Sequence, residues 1–252
     1  MKKILLITLG GTISAKGHNR LDLKDYQSGL IPGDFYLENI SELKEMAEIE
    51  VLQIDNVSST QVKGTHWIKL KNVMEDYLNE KRFDGAVITH GTNTLEETAY
   101  FLHLTVNSAK PIVLVGAQRP YTALSSDAQL NLINAVRVAV HPDSNGKGVL
   151  VAFNNKIHSA REVTKTDTYD VDGFQSGIFG CLGYIDAGHE VVYYREPSRR
   201  HTIISEFSKI PIHSLPDVAI VYSYAGANGD LIDFIVESNQ LKWSLKMQTP
   251  LP

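Results

Sequence analysis

The sequence is poor in cysteine: Cys181 is the single thiol in 252 residues. That excludes an intrachain disulfide and any metal centre built from cysteines. Set among Gly177, Gly180 and Gly183, it reads as a small packed residue. Long hydrophobic runs are missing too. No stretch approaches the roughly 20 apolar residues that a membrane-spanning helix needs. Met1-Lys2-Lys3 followed by the apolar residues 4–7 has the outline of a signal peptide. The apolar run is too short, however, and no small-residue cleavage site follows. It reads as a buried first strand, and the expected setting is cytoplasmic. Basic blocks are absent and the net charge is −5, which argues against nucleic acid or an anionic membrane as the main partner. The local exception, Arg195, Arg199, Arg200 and His201, reads as a solvated linker. No internal repeat, no low-complexity tract and no Gly-x-Gly-x-x-Gly dinucleotide fingerprint is present.

What remains is an ordinary globular composition, 43% hydrophobic and 21% charged, on a length suited to one large domain or one domain plus a small second one. Apolar runs of strand length recur at residues 4–9, 49–54, 85–89, 112–115, 148–153 and 218–222. They are rich in Ile and Val and do not alternate, as expected of parallel strands buried on both faces. Helical patterns lie between them at 66–81, 94–106 and 126–140. In the first, Trp67, Leu70, Val73, Tyr77 and Leu78 share a face. The alternation predicts a doubly wound, mostly parallel α/β domain of Rossmann or flavodoxin type. Residues 193–216 break the rhythm with charge and with Pro197, Pro211 and Pro216. The expected organisation is a catalytic domain over 1–192, a linker over 193–216 and an incomplete, smaller α/β domain over 217–252. That last part holds a strand at 218–222, a helix at 229–237 and a weak strand at 242–248.

Two of the apolar runs end on hydroxyls beside glycine. One leads into Gly10-Gly11-Thr12-Ile13, the other into His90-Gly91-Thr92-Asn93-Thr94. Ligands of open α/β sheets collect at the carboxyl ends of strands, and a threonine hydroxyl becomes a nucleophile once a base takes its proton. Glycines there allow a tight turn and close approach of backbone to ligand. Taken alone, Thr12 also reads as a capping threonine, and Asn93 or Thr94 as the N-cap of the helix that follows. The same helix start offers amides that can hold an oxyanion, and Glu96-Glu97 suit its first turn. A base is supplied by the polar segment 157–168, where Lys165 qualifies if burial lowers its pKa.

Taken together, Thr12, His90-Gly91-Thr92-Asn93-Thr94, Ala117-Gln118-Arg119-Pro120 and Thr164-Lys165-Thr166 resemble, in order and spacing, the bacterial-type L-asparaginase/glutaminase family of threonine amidohydrolases. Asn56-Val57-Ser58-Ser59 resembles that family's substrate-binding serine loop. Asp25-Tyr26-Gln27-Ser28-Gly29 resembles its mobile lid, and Arg199-Arg200-His201-Thr202 with Ser205-Glu206-Phe207 its interdomain linker. Coverage runs to about residue 240. The resemblance implies that Thr12, assisted by Tyr26, attacks the side-chain amide carbon of L-asparagine, and of L-glutamine as a second substrate. Water held near Thr92 and Lys165 then hydrolyses the acyl-threonine, with Asn93 beside them. Ser59, with Thr60 or Gln61, binds the α-carboxylate or α-amino group. Gly11, Gly91 and Ala117 line the substrate, and the amides of Gly11 and Thr92 are candidates for the oxyanion site. No cofactor and no metal is implied; a homodimer or homotetramer is.

The chain departs from the family in two places. Many members carry aspartate where this chain has Asn93, which keeps size and acceptor but loses the charge. The resemblance also fades after Gln240, so a truncated C-terminal domain, and activity that depends on residues beyond it, are expected. Two other classes stay open: a silent amino-acid-binding module on the same fold, and a nucleotide-binding α/β protein, which lacks its phosphate loop here.

Overall fold

The computed structural model describes residues 1–238. The chain divides into two compact units, Met1–Pro211 and Ile212–Pro252. The first unit is built on an eight-stranded sheet. Its strands are β1 (Lys3–Gly10), β2 (Glu48–Val57), β3 (Gly85–Thr89), β4 (Ile112–Val115), β5 (Val149–Phe153), β6 (Lys156–Ser159), β9 (Gly183–Ile185) and β10 (Val191–Tyr193). A separate two-stranded ribbon pairs β7 (Thr164–Lys165) with β8 (Phe174–Gln175). The helices are α1 (Asp34–Asn39), α2 (Glu42–Met46), α3 (Gly64–Glu75), α4 (Leu95–Thr105) and α5 (Ala128–Val140).

The sheet order is β10-β9-β6-β5-β4-β3-β1-β2. From β2 to β5 every neighbouring pair is parallel, and β6, β9 and β10 extend the sheet antiparallel. The parallel part therefore has the 2-1-3-4-5 order of flavodoxin-like folds, whose ligand crevice lies where the chain reverses between β1 and β3. Because successive side chains of a strand face opposite ways, β1 feeds two cores. Ile4 and Leu6 pack with Val87, Val113 and Val115 under α5. Leu5, Ile7 and Leu9 pack with Ala86, Ile88 and Leu114 under α3 and α4. Burial on both faces is the reason these runs read as continuous rather than alternating.

Two local readings of the first unit differ from the structure. The helix expected over 66–81 is α3 followed by a π-helical turn at Asp76–Glu80. The charged cluster expected to be solvated is partly packed: the Arg195 guanidinium is paired with Glu162 and donates to the Gly180 and Cys181 carbonyls. His201 is buried beside His103, at 4.9 Å between ring centroids. A carboxylate and free carbonyls near its start made packing cheaper than solvation for that segment.

In the second unit, residues 218–222 form no strand. Val218, Ile220 and Tyr222 stay exposed, and no strand among the described residues pairs with their backbone. The helix expected there is present as α6 (Asp230–Glu237). The weak strand expected at 242–248 lies outside the described residues.

Candidate active site

Both hydroxyls emerge where β1 and β3, adjacent and in register from Ile4↔Gly85 to Thr8↔Thr89, run out. The β1–β2 ladder is irregular between Thr8 and Gly10. Gly10 and Gly11 then turn the chain with φ of 100° and 84°, a region that penalises side chains. A β-carbon on Gly11 would stand 2.2 Å from the Gly91 Cα, and one on Gly91 would stand 2.8 Å from the Ser59 Cβ. The three loops after β1, β2 and β3 thus meet with no room between them.

The first hydroxyl, Thr12 Oγ1, is 3.0 Å from the Tyr26 OH. Thr12 is buried and Tyr26 half-buried. The segment carrying Tyr26 is held at both ends. Lys16 and Gln27 exchange backbone hydrogen bonds of 3.2 and 3.3 Å, and the Asn56 amide donates to the carbonyls of Gly29 and Ile31. The second hydroxyl, Thr92 Oγ1, accepts from Lys165 Nζ at 2.7 Å. It faces Gln118 Oε1 at 3.4 Å, and Gln118 Nε2 donates to the Asp167 carbonyl. Lys165 Nζ also reaches Asn93 Oδ1 at 3.3 Å. Burial pushes the Lys165 ammonium below the ordinary lysine range, while Asp167 and Glu96 act in the opposite direction.

Ser59 is buried and ties two loops together. Its Oγ accepts from the Asn93 amide at 3.1 Å, and its carbonyl accepts from Thr94 Oγ1 at 2.8 Å. Thr94 is the N-cap position of α4, but its hydroxyl serves Ser59 rather than the helix. Thr60 and Gln61 are exposed in the turn beyond Ser59, and Ala117 is fully buried. The Gly11 amide donates to the Val57 carbonyl at 2.9 Å, so its proton is taken. This corrects its expected part in an oxyanion site, because the irregular end of the β1–β2 ladder claims the donor. The Thr92 amide has no protein acceptor among the described residues.

Sequence reasoning passed over three groups. His90 is buried, and burial pulls its pKa to about 4, so the ring is neutral at pH 7. Trp67 Nε1 can only donate, and does so to Thr98 Oγ1 at 2.8 Å. The Thr98 proton therefore goes to His90 Nε2 at 2.9 Å, which places the ring proton on Nδ1, aimed at the Gly91 carbonyl at 2.7 Å. That relay fixes the peptide preceding Thr92. Gln118, quoted only as part of a motif, bridges Thr92 and the Lys165 loop. Glu96, read as a helix-dipole residue, accepts from Thr164 Oγ1 at 2.8 Å and from the Lys165 amide at 2.5 Å. A cleft of about 250 Å³ opens beside this set, lined by Asn93, Glu96, Lys165, Thr166, Asp167 and Thr168.

Fold and site define a doubly wound α/β protein with two partnered hydroxyls at its topological switch point. The family model described as "Asparaginase, N-terminal" matches residues 3–199, and the chain belongs to the asparaginase family. It is 44% identical over 227 residues to the probable periplasmic L-asparaginase of Haemophilus influenzae, covering 90% of this chain and 64% of that one. It is 37% identical over 238 residues to the glutaminase-asparaginase of Pseudomonas fluorescens, covering 94% of this chain and 65% of that one. The chain thus spans less than two thirds of the length of these relatives. Among solved structures, a probable cytoplasmic L-asparaginase from Campylobacter jejuni is similar with a TM-score of 0.91 at 39% identity, over 96% of this chain and 73% of that one.

Proposed function

We propose that this chain serves the hydrolysis of L-asparagine to L-aspartate and ammonia through a threonine acyl-enzyme. The observation that carries the reading is the pair of partnered hydroxyls on neighbouring strand ends: Thr12 with Tyr26 at 3.0 Å and Thr92 with Lys165 at 2.7 Å. In this reading Thr12 Oγ1 bonds to the side-chain amide carbon and passes its proton toward Tyr26. The carbon–nitrogen bond breaks and ammonia leaves with the proton. Water beside Thr92 then attacks the acyl carbon with neutral Lys165 as the group that takes its proton; the bond to Thr12 Oγ1 breaks, L-aspartate leaves and Thr12 regains a proton. Ser59, with Thr60 or Gln61, holds the α-substituents, and the Thr92 amide faces the developing oxyanion. Residues 1–192 form the catalytic domain, residues 193–216 a linker, and residues 217–252 part of a second domain. The resemblance of the Campylobacter protein supports a cytoplasmic setting, and the assembly is a homodimer or homotetramer.

The similarity to a glutaminase-asparaginase favours a second reading, in which L-glutamine is also accepted. Ammonia release with asparagine and with glutamine, measured for the chain and for Thr12→Ala, tests both. Release that is lost in the variant, by about 10³-fold or more, is the expected result. Release that persists in Thr12→Ala removes Thr12 as the nucleophile. Binding of aspartate, seen as thermal stabilisation without turnover, would favour the silent module.

A further inference from the structure

Lys165 stands on the slightest element of the first unit. The ribbon of β7 and β8 contributes two residues per strand and lies outside the eight-stranded sheet. Its own ladder cannot set the lysine to within the few tenths of an ångström that a proton transfer needs. Glu96 does what the ladder cannot. It sits at the second position of α4, four residues after Thr92, and both of its oxygens are used on β7: one by the Thr164 hydroxyl, the other by the Lys165 amide. The adjacent Glu97 points to solvent. One carboxylate therefore joins the loop carrying Thr92 to the strand carrying Lys165.

The charge balance leads to the same residue. The side-chain oxygens that Lys165 Nζ touches, on Thr92 and Asn93, are neutral. The charged groups that bear on it are Asp167 from the loop after β7, the larger of the two, and Glu96 from α4. Asp167 Oδ1 is occupied by the amides of Tyr169 and Asp170, each at 2.7 Å, and the residue is exposed, where water screens it.

We propose that Glu96 is a positioning residue for Lys165: it pins β7 to the start of α4 and, beside Asp167, adds a negative charge bearing on the ammonium that Asn93 leaves without a carboxylate. Its catalytic meaning rests on the reading of Lys165 as the base beside Thr92.

The test separates the two. The ε-carbon signal of Lys165 is followed against pH in protein labelled with ¹³C-lysine and assigned with Lys165→Arg. In Glu96→Gln, which keeps one acceptor oxygen, the midpoint is expected to fall by about half a pH unit or more, because an opposing charge has been removed. Adding Asn93→Asp to that variant is expected to bring the midpoint back up. Glu96→Asp keeps the charge but not the reach; its midpoint stays near the parent value while ammonia release per enzyme drops about tenfold. A midpoint unmoved or raised in Glu96→Gln overturns the proposal, as a purely structural anchor would leave it in place. A midpoint that moves as expected in a chain releasing no ammonia supports the Glu96 assignment and counts against the asparaginase reading instead.

Discussion

Asn93 has the most consequential side chain at the residue scale. Its Oδ1 accepts from Lys165 Nζ, and its amide is held by Ser59, so the position keeps the geometry that a carboxylate would have and lacks only its charge. Asn93→Asp is therefore expected to lower KM a few-fold, since the side chain is exposed and a new ion pair there is screened. The same change adds a negative charge beside Lys165, raises the pH at which it becomes neutral, and moves the acid limb of kcat upward. Initial rates from pH 6 to 10 read both effects; an unchanged KM would show that charge at this position does not contribute to substrate binding. The two threonines were legible in the sequence because glycine and hydroxyl cluster at strand ends, and Tyr26 and Lys165 because they fall in the motifs that carry the family resemblance, whereas Gln118 was quoted there without a role. Glu96 and His90 were not legible. Glu96 meets its partner 69 residues further along the chain, and the tautomer of His90 depends on a tryptophan and a threonine on different helices.

At the scale of elements, hydrophobic periodicity located β1 to β5 and the helices α3, α4 and α5, since each is a long apolar run or a long apolar stripe. The short elements escaped. α1, α2 and β6 to β10 are held by tertiary contacts rather than by pattern; β7 and β8 show this at its limit. Their ribbon is anchored by Phe174, buried and 4.7 Å from Phe153 between ring centroids. Phe174→Ala leaves a cavity there and is expected to cost about 3–5 kcal/mol in urea unfolding, with loss of Lys165 alignment. A cost below about 1 kcal/mol would show that other contacts hold the ribbon. Gly11→Ala acts on the junction of β1 and β3. Its φ of 84° is unfavourable for alanine, and the new methyl meets the Gly91 backbone rather than a movable side chain. The strand ends must separate, so turnover is expected to fall by about 100-fold or more. Retained turnover would mean the loops can part without disturbing the hydroxyls.

For the whole molecule, the first unit carries a set of histidines that constrain its behaviour in acid. Burial lowers the pKa of His90 to about 4, of His103 to about 3 and of His158 to about 4. In the unfolded chain each returns to an ordinary value near 6.5. Between about pH 6.5 and 4 the unfolded state therefore binds more protons than the folded one, and stability must rise with pH across that window and be lost as pH falls through it. The slope has a ceiling of about 1.4 kcal/mol per pH unit for each histidine. Carboxylates held low by hydrogen bonds, such as Asp55 and Asp172, lose their contribution only in stronger acid, so from about pH 6.5 to 5 the histidines dominate, opposed by Glu97, whose carboxyl burial raises. Urea midpoints measured there are expected to decline steadily. A flat profile would require these rings to be protonated inside the fold, which conflicts with the acceptor roles of His90 Nε2 toward Thr98 and of His103 Nδ1 toward the Val149 amide. The hydrogen bond that orients Gly91 beside Thr92 and the acid sensitivity of the fold thus have the same origin, a histidine that stays neutral because it is buried.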